Sequence, residues 1–424
     1  MQPDIDNIRN IWELYGLKKN PFDTSPLLVL GGTIPLDSFV GRKEEIKRLN
    51  KILGSKGGSR TVVFGDIGVG KTTFVNVVRH KAFMSGYFTP IKEIAVQENW
   101  EPSDFVLNTI SAIFSTLKLL KEKPISDSLF KKLQQLFELG ISNTSLGLEI
   151  AGFGGNYSKE KNEPMHLTIT SLHELFELVI NEIIEKTNNE IIIHYNNLEL
   201  LHENKLRYLF NNLRDFFQIK GVHFIFVGNL TVRSSLQSIP RFSSILTDTP
   251  FCINNLTYEE TTEVMNKRFE ALRISKEYNI TIPFTEDALK KLYDLMNGNI
   301  RSILNSLHTA VIEITNETPV LLNANDLSRT LKSVLEKRYI SKLSDRQKEV
   351  LFEIASHEEM TNKGISDKLK IKRSNVSIYI KDLTNEGLVY LRRKNGKDKF
   401  WSARPHIRWH LLTESNTQQQ ILRF

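Results

Sequence analysis

The chain has 424 residues, of which 40% are hydrophobic and 25% charged, and its net charge is +7; this is the composition of a globular protein with room for two or three domains. The single cysteine, Cys252, excludes an intramolecular disulfide and a cysteine-rich zinc site, and it is typical of a reducing cytoplasm. No stretch approaches the ~20 apolar residues of a membrane span, and the N-terminus lacks the layout of a secretory signal, so we expect a cytoplasmic protein without a membrane partner.

The positive charge is concentrated at the C-terminal end. Residues 341–424 carry 17 Lys and Arg against 10 Asp and Glu, so this fifth of the chain holds the whole net charge of +7. Such asymmetry indicates a nucleic-acid-binding domain attached to a neutral body. A basic surface that is merely solvated is the alternative.

Residues 1–38 form an N-terminal extension. Apolar residues at helical spacing predict a helix from Asp6 to Leu17, and Asn20-Pro21 ends it. We expect the apolar face of this helix to pack against the neighbouring domain.

A glycine-rich loop organises the next part of the chain. It follows a short apolar strand, Thr61 to Phe64, and precedes a helical run, Phe74 to His80, which is the context that confirms the phosphate-binding pattern G-x-x-x-x-G-K-[ST]. Its glycines let the backbone fold around phosphates, and the N–H groups at the helix start face the anion. We therefore predict ATP bound with Mg²⁺, with Lys71 on the β- and γ-phosphates and the Thr72 hydroxyl on the metal. The loop residues are Gly65, Asp66, Ile67, Gly68, Val69, Gly70, Lys71, Thr72 and Thr73.

Apolar β-type runs alternate with helices downstream of the loop, which predicts a parallel α/β sheet. The alternating, glycine-containing stretch at 145–157 suggests a β-hairpin insertion. The other predicted elements are a strand at 91–96, helical segments at 104–139, 172–186 and 203–218, strands at 191–195 and 222–227, and an all-helical part from 256 to 336.

Two asparagines stand where P-loop enzymes place acidic residues. Such enzymes hold Mg²⁺ with an aspartate at the end of a second strand and activate the attacking water with a neighbouring residue, whereas this chain has Asn196 and Asn197. An amide oxygen accepts a hydrogen bond from metal-bound water, so Asn196 is a candidate metal residue, but an amide cannot act as a general base. Glu199 is then the candidate base. We expect the nucleotide to be bound well and hydrolysed slowly.

Four further polar residues are candidates at the nucleotide site, two of them for the same role. Asn229, at the tip of a strand, either orients the attacking water or caps the strand end. Arg241 is a candidate finger for a neighbouring subunit's phosphate, and Arg233 competes for that role. Arg301, which opens a helix in the all-helical part, is a candidate to close on the γ-phosphate.

The C-terminal part has the pattern of a winged helix-turn-helix. Three helices, Asp345 to Ala355, Asn362 to Leu369 and Ser374 to Glu386, precede a hairpin with an Asn-Gly turn inside a basic run. In this geometry the third helix enters the major groove and the wing lies along the DNA backbone. Protein interaction is the alternative use of such a module, but the density of basic groups favours duplex DNA. The predicted DNA-binding residues are Arg373, Ser374, Asn375, Ser377, Tyr379, Lys381, Arg392, Arg393, Lys394, Lys397 and Lys399.

These parts, in this order, resemble the AAA+ ATPases, in the branch of origin-recognition and replication-initiator proteins, with the STAND ATPases nearby. Val40, Gly41 and Arg42 resemble the adenine-flanking box of that family. Residues 65–73 resemble its Walker A motif and 191–197 its Walker B motif, while Asn229 resembles sensor 1 and Arg301 resembles sensor 2. The resemblance implies a RecA-like α/β P-loop core at 39–250, a helical lid at 251–338, a winged helix at 339–412 and a polar tail at 413–424.

The resemblance also implies a function. We expect an ATP-binding switch that couples its nucleotide state to duplex-DNA binding and to self-assembly as a homo-oligomer, as in initiators or mobile-element ATPases. The alternative is a STAND-like ATPase of a prokaryotic defence or regulatory system that oligomerises with a separate effector protein. A transcription regulator gated by nucleotide is a third possibility.

Overall fold

The structure is a computed structural model that describes residues 10–29, 32–139, 149–150, 165–166, 168–395 and 398–412. The chain divides into two compact units. The core unit consists of Pro26–Gly32 and Arg42–Asn254, and the helical unit consists of the chain up to Ser25, Thr33–Gly41 and the chain from Asn255 onward. No helix within the described ranges is both long and apolar enough to cross a membrane.

The regular elements of the described residues are numbered in chain order. Helices α1 to α15 are Lys43–Gly54, Lys71–Met84, Pro102–Leu119, Asp127–Gln134, Ile169–Thr187, Glu203–Asn212, Leu230–Gln237, Pro240–Ser243, Tyr258–Leu272, Glu286–Met296, Ile300–Ile314, Ala324–Arg338, Asp345–Ser356, Asn362–Leu369 and Arg373–Asn385. Strands β1 to β10 are Ser59–Gly65, Ile94–Ala95, Glu149–Ile150, Met165–His166, Ile191–Asn196, Val222–Gly228, Phe251–Ile253, Met360–Thr361, Val389–Asn395 and Asp398–Ala403. Short 3₁₀ helices are Ile11–Tyr15, Leu36–Ser38, Leu198–Leu200, Phe216–Gln218 and Ile340–Lys342.

The core unit is built on a parallel sheet with strand order β2-β5-β6-β1-β7. The inner strands are buried along their length because helices cover both faces of such a sheet, which explains their uninterrupted apolar sequences. One face carries an aromatic cluster in which the rings of Phe210, Phe217 and Phe226 lie 5.0 to 5.2 Å apart. In a parallel sheet all carboxyl ends lie on one edge, so the loops after β1, β5 and β6 meet there.

The predicted fold class is confirmed, with differences at several element ends. The segment predicted helical at 104–139 is broken after Leu119, and α4 starts anew with Ser126 as its N-cap. The helix predicted at 203–218 ends at Asn212. Strand β7 was missed because it is only three residues long. In the predicted hairpin region β3 pairs with β4 in antiparallel fashion, and the rest of 145–157 lies outside the described residues.

The N-terminal extension packs against the helical unit, as expected. Its described part forms the 3₁₀ helix Ile11–Tyr15, and the buried Tyr15 hydroxyl lies 2.6 Å from Thr315 Oγ1. The buried guanidinium of Arg268 in α9 donates to the carbonyl oxygens of Pro21 at 2.9 Å and Asp23 at 2.7 Å. Burial lowers the pKa of Arg268 to about 10, so it remains charged at neutral pH.

The winged helix shares its hydrophobic core with the end of α12. Leu335 and Ile340 are buried in the same cluster as Val350, Val376 and Ile407. Residues 405–412 form a further helical stretch that the sequence did not suggest. His410 Nε2 in this stretch lies 3.3 Å from Glu336 Oε2 of α12. The winged helix is therefore attached to the preceding helix by side-chain packing as well as by the chain itself.

Candidate functional site

The glycine-rich loop adopts the backbone geometry of a phosphate cradle. It runs from the end of β1 to the start of α2, and Gly70 at the helix N-cap has φ 93°, a conformation that L-residues rarely adopt. At Gly65 a Cβ would come within 2.2 Å of the Ile253 carbonyl oxygen of β7, so any side chain there would displace the loop. Strand β7, which the sequence analysis did not predict, therefore requires a glycine at the first position of the pattern.

Lys71 and Thr72 take up the positions that the pattern predicts. The Lys71 side chain is buried, and its ammonium group donates to the carbonyl oxygens of Gly65 at 3.0 Å and Asp66 at 2.8 Å. The Thr72 hydroxyl donates to Asn196 Oδ1 at 3.3 Å. The two residues predicted to hold the metal thus lie side by side, with two oxygen atoms of the kind that Mg²⁺ prefers.

The backbone conformation of Asn197 restricts which residue types can occupy this position. Its φ of 63° is left-handed, and it precedes the short 3₁₀ helix Leu198–Leu200. Asn tolerates this conformation better than Glu does. Asn197 is therefore suited to the turn itself, which gives a conformational reason for an amide at this position.

Glu199 and Arg233 each bury one polar atom without a partner. Glu199 Oε2 and Arg233 Nε form no hydrogen bond with any residue that the structure describes. The Arg233 guanidinium lies 4.9 Å from the ring centroid of Phe64, next to the loop. Unpaired buried polar atoms are unfavourable, and in native proteins they mark places where water, an ion or a ligand completes the contacts.

Asn229 and Arg241 differ in how firmly they are held. Asn229 Oδ1 accepts a hydrogen bond from the Val232 N–H at 3.0 Å and thereby caps the N-terminus of α7, which differs from the strand-end cap considered for it; its role toward the attacking water stays a prediction. Arg241 is exposed on the short helix α8, and its side chain has no ion-pair partner within the described ranges.

The remaining cofactor candidates fall in both units. Arg42, with φ 58°, donates to the carbonyl oxygen of Val69 in the loop at 3.3 Å and to that of Asn254. Val40 and Gly41 belong to the helical unit, where Val40 packs with Leu256 and Val264 of α9. Arg301 is exposed at the start of α11 in the helical unit.

The outward face of α15 is mostly as predicted. Arg373, Ser374, Asn375, Ser377 and Lys381 are exposed. Tyr379, which was predicted with them, is half-buried with its ring against the winged-helix core, and its contact with DNA stays a prediction. Ile378, which was not predicted, is 57% exposed and stands among these polar residues. The helical spacing from the buried Val376, Ile380 and Leu383 contained that signal.

The wing carries its positive charges already paired. Arg392 donates to Glu358 Oε1 at 2.6 Å. Arg393 donates from Nε to both oxygens of Glu359 at 2.9 Å, and its guanidinium lies 3.7 Å from the Phe400 ring centroid. Their contact with phosphates stays a prediction, but each arginine already forms an ion pair, because the strand order β8-β10-β9 places Glu358 and Glu359, in the loop before β8, beside the wing.

The other wing lysines are less informative. Lys399 is exposed on β10 and pairs through its backbone with Lys394 of β9. Lys397 lies outside the described residues.

Residues 341–399 match the MarR family. No curated protein matches the chain. The ORC2 protein of Aeropyrum pernix, in ADPNP–ADP complexes, is similar in structure at 14% identity and a TM-score of 0.48, over 96% of this chain and all of that chain (100%). The ORC1 protein of Aeropyrum pernix in complex with DNA is similar at 16% identity and a TM-score of 0.44, over 97% of this chain and 98% of that one. Cdc6p of Pyrobaculum aerophilum is similar at 13% identity and a TM-score of 0.42, over 91% and 98%.

Sequence reasoning missed two contributors to these sites and gave a third only a minor place. Strand β7 packs closely against Gly65. Glu358 and Glu359 form ion pairs with the wing arginines Arg392 and Arg393. Arg233 has a buried unpaired Nε beside Phe64, although the sequence offered it only as a competitor for Arg241. The first two depend on strand order, for which the local sequence carries no signal.

Proposed function

We propose that the protein is an ATP-binding switch with slow turnover that couples its nucleotide state to duplex-DNA binding, in the manner of an initiator or mobile-element ATPase. The observation that carries the proposal is the cradle at 65–73, in which Lys71 and Thr72 are already oriented and Thr72 contacts Asn196. This cradle is combined in one chain with a winged helix that shares a core with α12.

The residues of the cradle fit ATP with Mg²⁺. The N–H groups at the start of α2 and the Lys71 ammonium supply donors and positive charge for phosphate oxygens. The Thr72 hydroxyl would hold the metal directly, and Asn196 would accept a hydrogen bond from a metal-bound water. When bound, Mg²⁺ would neutralise charge on the phosphates.

Slow turnover follows from the residues at the end of β5. An amide does not accept a proton from an attacking water at neutral pH, so neither Asn196 nor Asn197 can act as a general base. Glu199 is the one carboxylate on the 3₁₀ helix that follows, and its Oε2 has no described partner. We assign it the role of activating water, at a reduced rate because it lies beyond the usual position.

The DNA-binding part of the proposal rests on α15. Its exposed face offers Arg373, Asn375 and Lys381 to base edges and phosphates, and such contacts give an affinity that falls steeply with salt. The match of residues 341–399 to the MarR family and the similarity to ORC1 in complex with DNA support this assignment.

A comparison of Lys71→Ala with Lys121→Ala tests the proposal. The unmodified protein is expected to retain ATP in the presence of Mg²⁺ and to bind duplex DNA with an affinity that differs between ATP and ADP. Lys71→Ala should lose both ATP retention and the nucleotide effect, while Lys121→Ala, an exposed lysine outside the cradle, keeps both. Failure of the unmodified protein to retain ATP, or identical DNA affinities in the two nucleotides, would contradict the proposal.

Self-assembly is the second part of the proposal, and the exposed Arg241 favours it because an arginine without a described partner is suited to reach a neighbouring subunit's phosphate. Size-exclusion chromatography with ATP and with duplex DNA separates the two candidate classes. Assembly that needs both supports the initiator type. Assembly with ATP alone supports a STAND-like switch with a separate effector protein, and a persistent monomer excludes both.

A further inference from the structure

Helices α1 and α2 of the core unit border a concave surface lined by none of the candidate site residues. Its volume is about 530 Å³, and its lining is dominated by four lysines. We call it the lysine groove: Lys43, Lys47 and Lys51 of α1 with Lys81 of α2.

The four lysines are exposed and electrostatically unsatisfied. No carboxylate of the described ranges forms an ion pair with any of them, although Glu44 and Glu45 lie on the same helix. Arg48, their neighbour on α1, is by contrast paired with Asp248 at 2.7 Å. Like charges at i and i+4 on a helix destabilise it by about 0.2 to 0.5 kcal/mol per pair. The arrangement therefore does not exist to stabilise α1.

The spacing of the lysines matches a phosphate backbone. Residues four apart on an α-helix are about 6 Å apart along its axis, so Lys43, Lys47 and Lys51 span about 12 Å. Phosphates on one strand of duplex DNA follow each other at about 3.4 Å along the axis, so this row spans three to four of them. None of its lining residues in the described part of the chain is aromatic, so none offers a ring on which an unpaired base could stack. Its chemistry thus favours the outside of a duplex.

We propose that the lysine groove is a second DNA-binding surface that holds the phosphate backbone of duplex DNA independently of the winged helix. The inference rests on the proposed function only in that the chain binds duplex DNA. Because the groove reads charge and not bases, it adds affinity without adding sequence preference. It also gives the core unit its own contact with the duplex.

The test uses the full chain with Lys43, Lys47 and Lys51 all changed to Gln, which removes charge but keeps helix propensity. The control changes Lys121, Lys131 and Lys132 to Gln, which are exposed lysines of the same unit outside the groove. The dissociation constant for a 40-base-pair duplex is measured between 50 and 300 mM salt by fluorescence anisotropy, with thermal melts to verify folding. Each lost phosphate contact lowers the slope of log K against log salt by about 0.9, so the groove variant should lose about 2.7 in slope and ~100-fold in affinity at 150 mM.

The control variant should keep a slope close to that of the unmodified protein. A groove variant that melts normally and has the slope of the control would overturn the inference and leave the proposed function intact. An unmodified protein that binds no duplex at all would overturn the proposed function and the inference together. A groove variant with reduced slope but an unchanged ranking of different duplex sequences supports the backbone role, whereas a changed ranking contradicts it.

Discussion

Removing the negative charges beside the wing should strengthen DNA binding. Glu358 accepts a hydrogen bond from Arg392 at 2.6 Å, and Glu359 accepts one from Arg393 at 2.9 Å. The side-chain hydrogen bond from Arg392 holds the pKa of Glu358 below its ordinary value, so that carboxylate stays charged at neutral pH. An arginine that already forms an ion pair within the protein releases fewer counterions when it binds a phosphate than an unpaired arginine does. The perturbation is Glu358→Gln combined with Glu359→Gln.

The size of the effect follows from the number of arginines released. Each cation that newly neutralises a phosphate changes the salt slope by about 0.9, so two arginines steepen it by about 1.8. At 150 mM salt this slope corresponds to an affinity gain of roughly 30-fold relative to the unmodified protein. The gain should vanish when Arg392 and Arg393 are also changed to Ala, because the glutamines then have nothing to release.

The assay is duplex binding between 50 and 300 mM salt, with Asp367→Asn combined with Glu386→Gln, two exposed carboxylates without an ion-pair partner among the described residues, as the control for the same charge change within the winged helix. An unchanged slope in the test variant would refute the reasoning, since it would mean that the wing arginines never reach phosphates. A loss of affinity would refute it in a different way. It would show that the glutamates hold the arginines in the binding geometry and do not compete with DNA.

Three other predictions concern separate parts of the chain. Glu199→Gln should retain ATP but lower the residual turnover at least ~100-fold, measured as phosphate release, if this carboxylate activates water. Burial, together with the charge of Arg79, keeps the pKa of His194 well below its ordinary 6.5, so the unfolded state alone binds that proton as the pH falls below about 6.5. Urea unfolding at pH 7, 6 and 5 should therefore show a loss from this group of about 0.7 kcal/mol between pH 7 and 6 and about 1.2 kcal/mol between pH 6 and 5, which His194→Gln removes. If Ile378 contacts a thymine methyl group, replacing thymine by uracil in a selected duplex should weaken binding by the unmodified protein but not by Ile378→Ser.

The sequence was sufficient for the parts of the fold that local pattern determines. The cradle is specified by nine consecutive residues, so Lys71 and Thr72 could be placed in advance. The spacing of Val376, Ile380 and Leu383 located α15 to within a residue at each end. Tyr379 was grouped with the outward residues, although its position lies next to the buried stripe and its ring is half-buried.

Features that depend on strand order could not be predicted. Glu358 becomes a partner of Arg392 only because β8 pairs with β10 and β10 pairs with β9, which brings together residues 34 positions apart. The contact between Gly65 and Ile253 likewise requires β7 to add to the edge of the sheet. In each case the sequence shows the residue type but not the neighbour.

The shared core between α12 and the winged helix bears on how a nucleotide signal is transmitted. α11, which carries Arg301, packs on α12, and Leu335 of α12 is buried among winged-helix residues. Close-packed protein interiors move as rigid bodies and do not deform continuously. In the proposed switch, a shift of α11 that accompanies a change at Arg301 would therefore carry α12 and α15 with it.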